Sequence, residues 1–410
     1  MNTATTKKNM PELRFPGFYG GWREYKFGDI ASFSKGKNVS KDDVVEGGKN
    51  YCIRYGELYT HYSETIENIQ SRTNIDTKES FLSKENDVLI PSSGESALDI
   101  ATVSCLKKKR VILGGDINVI RLKPQGNGVF FAYYLSNKKR KDIAKLAQGN
   151  SVVHLYNSHL KTLFVKTPEI QEQKKIADFF NDLDNLLKNL RKQNKALEEY
   201  KRGMTQKIFS QEIRFKNDNG KNFPDWELKK LSSFLVERNE QAPKNDEYPL
   251  MAFVAYKGVT PKGERYNREF LVNDSDNKKY KRTKYGDFIY SSNNLETGSI
   301  GLNRYGSASI SPVYSIFQIG ESCDYQFMSS YLVRKSFLNK MVRYRQGVVY
   351  GQWKIRESDF LKIEEKIPSL EEQQKISAFL GSIDNLINLK EKQISSAEIW
   401  KKGLLQKMFV

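Results

Sequence analysis

A 43-residue stretch of this chain occurs twice, displaced by 200 positions without a gap. Pro168-Glu169-Ile170-Gln171-Glu172-Gln173-Lys174-Lys175-Ile176 returns as Pro368-Ser369-Leu370-Glu371-Glu372-Gln373-Gln374-Lys375-Ile376. The register holds through Asp184-Asn185-Leu186 and Asp384-Asn385-Leu386 to Phe209 and Phe409, with 17 of the 43 positions identical. A period of this length means that the chain repeats a structural unit. Its 410 residues also exceed what one core of roughly 100 to 200 residues accommodates.

Each copy has the pattern of a long helix. Pro in the first turn leaves no amide unbonded, and the acidic residues behind it face the positive end of the helix dipole. In the first copy Ile176, Leu183, Leu190, Leu197 and Met204 recur every seven residues, with Phe179, Phe180, Leu186, Leu187, Tyr200 and Ile208 between them. The second carries Ile376, Phe379, Ile383, Leu386, Ile387, Ile394, Trp400, Leu404 and Met408, with Lys390 interrupting the heptad. Each apolar stripe needs a partner. Two homologous helices in one chain supply it as an antiparallel intramolecular coiled coil roughly 60 Å long. Asn194 falls at a seam position, where a polar group fixes register. A leucine stripe is ordinarily core and nothing more; here the core is also a spacer.

The duplication reaches beyond the helices. Glu12-Leu13-Arg14-Phe15 matches Glu212-Ile213-Arg214-Phe215, and Trp22 and Trp226 follow them. The first helix copy runs on into its Glu-Ile-Arg-Phe segment, whereas the second reaches Val410 and the matching segment stands near residue 1. The expectation is a pseudo-twofold, cyclic arrangement in which residues 1–21 dock near the C-terminal helix. Two globular α/β domains of similar length but little mutual identity, 22–165 and 213–365, then alternate with helical spacers at 166–212 and 366–410. The fold class is α+β, with short apolar runs such as Asp87-Val88-Leu89-Ile90 and Asp287-Phe288-Ile289-Tyr290 set among Gly, Asn and Ser turns.

Charge distinguishes the frame from its contents. Lys and Arg outnumber Asp and Glu by 67 to 49, a net charge of +18, which suits a polyanionic partner. The two helix copies carry only three of those eighteen charges. The remainder gathers in the domains and termini, as Lys107-Lys108-Lys109-Arg110, Lys138-Lys139-Arg140-Lys141, Lys278-Lys279, Lys281-Arg282 and Arg343-Tyr344-Arg345. One lysine run is ordinarily a solvated face; clusters interleaved with tyrosine in both domains point to DNA phosphates. Arg54, Ser92, Ser93, Asn293, Asn294, Arg345 and Gln346, in turn-like segments, are the candidate base readers.

Other chemistries find little support. There is no Asn/Asp-Pro-Pro-aromatic motif, Ser311-Pro312-Val313-Tyr314 being a near miss, and no phosphate-binding Gly-Lys-Ser/Thr loop. Pro224-Asp225 with Glu227 and Lys229 superficially suggests a nuclease cluster, yet its carboxylates crowd one short segment that reads as a turn. His61, His154 and His159 lack ligand-like companions. The cysteines, Cys52, Cys105 and Cys323, are odd in number and far apart, which fits a reducing cytoplasm. No stretch approaches the roughly 18 apolar residues of a membrane span, and Met1 to Met10 reads as a frayed tail.

Two unlike basic domains, each followed by a repeated Pro-x-x-x-Glu-Gln-x-Lys-Ile helix, closely resemble the specificity (S) subunits of type I restriction-modification systems. The resemblance covers essentially the whole chain and includes Leu13-Arg14-Phe15 with Trp22. It implies a non-catalytic subunit whose two target recognition domains each bind one half of a split double-stranded DNA site. It also implies two methyltransferase (M) subunits docked on the helices, at Glu172, Gln173, Ile176 and Phe179 and at Glu372, Gln373, Ile376 and Phe379, and a translocating endonuclease (R) subunit. No cofactor is expected in this chain; S-adenosylmethionine belongs to the methyltransferase partner, ATP and Mg to the endonuclease partner. Domains reading major grooves on one face of B-DNA sit about 34 Å apart, which makes the helices a ruler. The alternative is a duplicated DNA-binding transcription regulator without a methyltransferase.

Overall fold

The two repeat copies are helices, Ile170–Phe209 and Leu370–Lys407, of 40 and 38 residues, about 60 and about 57 Å long at 1.5 Å per residue. Pro168 and Pro368 stand just ahead of the first helical residue, not inside the first turn as expected. A glutamine side chain explains the shift. Gln173 Nε2 donates to Pro168 O and Gln373 Nε2 to Pro368 O, each at 2.9 Å, so the proline closes the turn through its carbonyl.

The computed structural model describes all residues except 1–8, 38, 150, 256, 262–277 and 350–351, and its description of side chains also omits 346–349, 352 and 353. It forms two compact units, Met1–Gln193 with Lys390–Val410, and Asn194–Leu389. In the first unit the two helices run antiparallel, with Asp184 against Lys401 and Arg191 against Glu398, each pair at 2.5 Å. In the second, Lys201 meets Asp384 at 2.5 Å, while Ile208 and Phe209 share a core with Ile376 and Leu380.

The inward face is narrower than the sequence stripe suggested. Ile176, Phe180, Leu183 and Leu187 are buried, whereas Leu186, Tyr200, Leu386 and Trp400 are 49 to 53% exposed. Leu187 takes the inward position one turn after Leu183, and a helix turns about 100° per residue, which swings Leu186 away. Asn194 bonds along its own helix, to Glu198 Oε1 at 2.8 Å.

Each unit adds a sheet to its helices. In the first, Ala31–Lys35, Ile117–Leu122, Asp87–Pro91 and Ser104–Leu106 lie antiparallel, with Thr65–Ile66 parallel at the edge. Alternation along the strand separates the faces. Val88 and Ile90 join the core containing Phe130, Phe180 and Phe409, and Leu89 joins a second core with Ile53 and Leu58. The second unit orders Leu235–Glu237, Ser315–Ile319, Phe288–Tyr290 and Ile300–Leu302, all antiparallel. Phe288 and Tyr290 face its helices, and Ile289 faces the other way.

A buried carboxylate recurs in both sheets with a different partner. Asp87 is bound by Arg121 from the neighbouring strand at 2.9 Å; Asp287 is bound at 2.7 Å by Arg238, which follows the edge strand. Each carboxylate also caps a turn, accepting from Lys84 N and Lys284 N at 2.8 and 2.7 Å. Charge balance is thus repeated while the arginine's origin is not.

The segments before the domains dock in the same way. Leu13 N–H donates to Lys407 O at 3.0 Å, as Ile213 N–H donates to Lys207 O at 3.2 Å. One bond lies along continuous chain, and the other joins the N-terminal segment to the end of the second long helix. Strands Arg23–Lys26 and Glu227–Lys230 then pair antiparallel with Phe164–Thr167 and Glu364–Ile367, the strands that lead into the two long helices.

Candidate nucleic-acid interface

The Glu-Gln pair at each helix start is spent within the chain. Glu172 is 2% exposed and held bidentately by Arg14 Nε and Nη2 at 2.8 and 2.6 Å. Arg214 holds Glu372 likewise at 3.1 and 2.8 Å, and Trp226 Nε1 adds a third donor at 3.2 Å. Glu372 in turn pushes the Arg214 pKa upward through these bonds. Gln173 Oε1 accepts from Asn127 N and Gln373 Oε1 from Asp324 N, both at 2.9 Å. Asn127 and Asp324 are the N-caps of Gly128–Asn137 and Tyr325–Tyr331, the helices packed on each sheet. Each glutamine therefore ties the N-terminus of a short helix in its unit to the long helix.

This placement changes the docking residues read from the sequence. Glu172, Gln173, Ile176, Glu372, Gln373 and Ile376 are buried, and only Phe179 and Phe379 reach the surface. What the helices do present is an apolar ledge that occurs in both units. In the first, Phe15 packs edge-on against Phe179, which meets Trp400, and Leu186 and Ile399 lie exposed. In the second, Phe215 packs on Phe379, and Tyr200, Leu386 and Leu389 are exposed. Leu186 with Leu386 and Tyr200 with Trp400 stand at matching repeat positions, a signal the sequence carried once the inward face was drawn narrowly.

The basic residues divide by whether a carboxylate already holds them. Arg345 bonds bidentately to Glu296 at 2.6 and 2.7 Å, which joins the end of helix Lys335–Arg343 to the turn holding Asn293 and Asn294. Arg282 pairs with Glu240 at 2.7 Å and lies 4.4 Å over the Tyr248 ring. Lys281 is buried beside it in strand Tyr280–Thr283, while Lys278 and Lys279 are exposed. Arg343 is exposed. Gln346 begins strand Gln346–Val349, and its side chain lies outside the described residues.

In the first unit Ser92 and Ser93 are buried, not aimed at solvent. The Ser92 main-chain carbonyl accepts from Leu155 N at 3.0 Å, its Oγ donates to Asp116 Oδ1 at 3.5 Å, and Ser93 Oγ lies 3.1 Å from His154 Nδ1. Arg54 N–H donates to the buried Glu57 at 2.8 Å, with the arginine Nε buried and unpartnered. Lys107, Lys109 and Arg110 are exposed and Lys108 half-buried on the loop between Ser104–Leu106 and Ile112–Leu113. Lys138 to Lys141 lie elsewhere, where helix Gly128–Asn137 meets Arg140–Lys145.

Among the described residues no three His, Cys, Asp or Glu side chains stand where they could hold a metal, and no helix is long and apolar enough to cross a membrane. Burial pushes the Cys52 and Cys323 thiols up to about 11 and Cys105 up to about 12. Asp225 is fully exposed and paired with Arg214, and Glu227 with Lys229.

Two sheets with different loops, mounted by the same clamps on two copies of one helix, define a duplicated binding subunit. A family model described as the type I restriction modification DNA specificity domain matches twice, over residues 19–199 and 224–398. The chain belongs to that family. The type I restriction enzyme MjaVIII specificity subunit of Methanocaldococcus jannaschii is 26% identical over 421 residues, covering 97% of this chain and 93% of that protein. The putative MjaX specificity subunit of the same organism is 27% identical over 335 residues, covering 75% and 73%. The fold matches the type I restriction-modification S subunit from M. genitalium with a TM-score of 0.59 at 16% identity, covering 98% of this chain and 99% of that one.

Proposed function

We propose that this chain reads a split DNA target for a type I restriction-modification complex, each unit recognising one half. The observation that carries this reading is the contrast between frame and contents. The Arg14–Glu172 and Arg214–Glu372 clamps and the two glutamine latches repeat, while the surface loops and their charges differ from one unit to the other. A duplicated transcription regulator is not favoured, because the family found over both halves is that of restriction specificity domains.

The repeated apolar ledge supports two copies of one methyltransferase subunit, since a surface presented twice suits one partner bound twice. S-adenosylmethionine then sits on that partner, and ATP and Mg on the endonuclease subunit. This chain supplies recognition and spacing. Mapping methylated adenines in DNA from cells expressing the chain with its methyltransferase tests the reading. The expected pattern is two short specified blocks separated by a constant number of unread bases; a single continuous block, or none, overturns it.

A further inference from the structure

Tyr51 of the first unit has two cations against its ring, and among the described residues no carboxylate neutralises either. Arg72 Cζ lies 4.3 Å and Lys108 Nζ 3.9 Å from the ring centroid. Among the described residues neither cation has an acidic partner within ion-pair distance; Arg72 Nη1 donates to Gly48 O at 2.9 Å. Both are half-buried, so part of their hydration is lost without an anion to replace it. The phenol reports the local field: its pKa is lowered, chiefly by its hydrogen bond to Arg72 and then by the charges of Arg72 and Lys108.

The loop carrying Lys108 is built to hold its shape. Buried Ser83 fastens it with four bonds: Ser83 Oγ donates to Lys108 O (2.8 Å) and accepts from Val111 N (3.0 Å), Ser83 N donates to Val111 O (2.9 Å), and Arg110 N donates to Ser83 O (3.0 Å). Arg110 adopts φ +61° in the middle of it, a conformation that costs a non-glycine residue free energy and persists where surrounding bonds enforce it. A merely solvated lysine run needs none of this. On the loop and beside it, Lys84, Lys107, Lys109, Arg110 and Lys174 line one cleft with Glu85, which meets Lys109 at 3.5 Å.

The second unit offers the contrasting case. Two arginine-over-tyrosine pairs there, Arg282 on Tyr248 and Arg334 on Tyr331, are neutralised, by Glu240 at 2.7 Å and by Glu365 at 2.9 Å.

We infer that Tyr51, Arg72 and Lys108 form a preorganised seat for one DNA backbone phosphate, anchoring the first recognition domain without reading sequence. This rests on the proposed DNA-reading function. The phosphate oxygens accept from the guanidinium, the ammonium and the phenol hydroxyl. The fixed loop removes most of the ordering cost that a mobile lysine would carry.

The test is the salt dependence of duplex binding by the chain assembled with its methyltransferase subunits, for wild type, Arg72→Gln with Lys108→Gln, Tyr51→Phe and Arg282→Gln. For B-DNA each phosphate contact contributes about 0.9 to the slope of log affinity against log salt. The double variant is expected to lose about one unit of slope. Its affinity for the split target and for an unrelated duplex falls by one common factor, on the order of tenfold at low salt, with methylation specificity unchanged. Tyr51→Phe weakens both duplexes equally and keeps the wild-type slope; Arg282→Gln changes neither. An unchanged slope in the double variant overturns the inference, as does a changed half-site sequence, which would make these residues base readers. Weakened assembly with the methyltransferase at constant slope also overturns it, since the surface would then belong to a protein partner. Binding to an unrelated duplex is measurable whether or not a split target exists, so failure of the seat is distinguishable from failure of the functional reading.

Discussion

At the scale of single residues, the Glu-Gln pair that marks each helix start acts inside the molecule. Glu172 and Glu372 are almost fully buried carboxylates whose charges are met by Arg14 and Arg214. Removing one partner of such a pair costs about 3 to 5 kcal/mol, because the remaining charge stays desolvated. The two arginines are nevertheless not equivalent. Arg214 is tethered on both sides, so Arg214→Ala should lower overall stability by that amount in urea unfolding. Arg14 arrives on the N-terminal segment, which can detach more cheaply than the domain unfolds. Arg14→Ala should therefore appear first as protease cleavage between residues 9 and 21, with a smaller shift in the unfolding midpoint. The sequence showed that these residues matter through their repetition, but not which way they face; a repeated polar pair fits a docking surface as well as a buried clamp.

At the scale of elements, the long helices were legible from the repeat to within two residues at their starts. Their inward face was not, because each residue turns the helix by about 100°, which carries Leu186 and Tyr200 away from the side that Leu183 and Leu187 bury. Within each unit the ion pairs Asp184–Lys401 and Lys201–Asp384 fix the antiparallel register. A four-residue insertion made after Lys192 and after Lys392 keeps both pairs, because the two helices lengthen together. It adds about 6 Å, close to two base-pair steps of about 3.4 Å. Methylation mapping should then find both half-sites unchanged and the unread gap longer by one or two bases; loss of either half-site would refute the ruler.

At the scale of the whole molecule, each unit carries its own sheet, buried ion pair and clamp, and among the described residues each apolar cluster is drawn from one unit. Replacing residues 22–165 by the matching domain of a relative should therefore change one half of the methylated target and leave the second half as it was. A changed second half would mean that the units do not read independently.

By itself the sequence determined the duplication, the two long helices, the match between the Leu13-Arg14-Phe15 segment and its copy, and the basic character of the domains. These are properties of period, spacing and charge, which linear order preserves. Only the tertiary structure decided which polar groups face inward and which cations remain free. Tyr51, Arg72 and Lys108 come from three separate places in the chain and meet because Asn50–Ile53 pairs with Arg72–Thr73 and with Ile112–Leu113. Arg282 and Arg345 looked as free as they did and are not, for Glu240 and Glu296 reach them only in the folded chain. Neutralisation is a pairwise matter of a few ångströms, and the chain must be folded before it is settled.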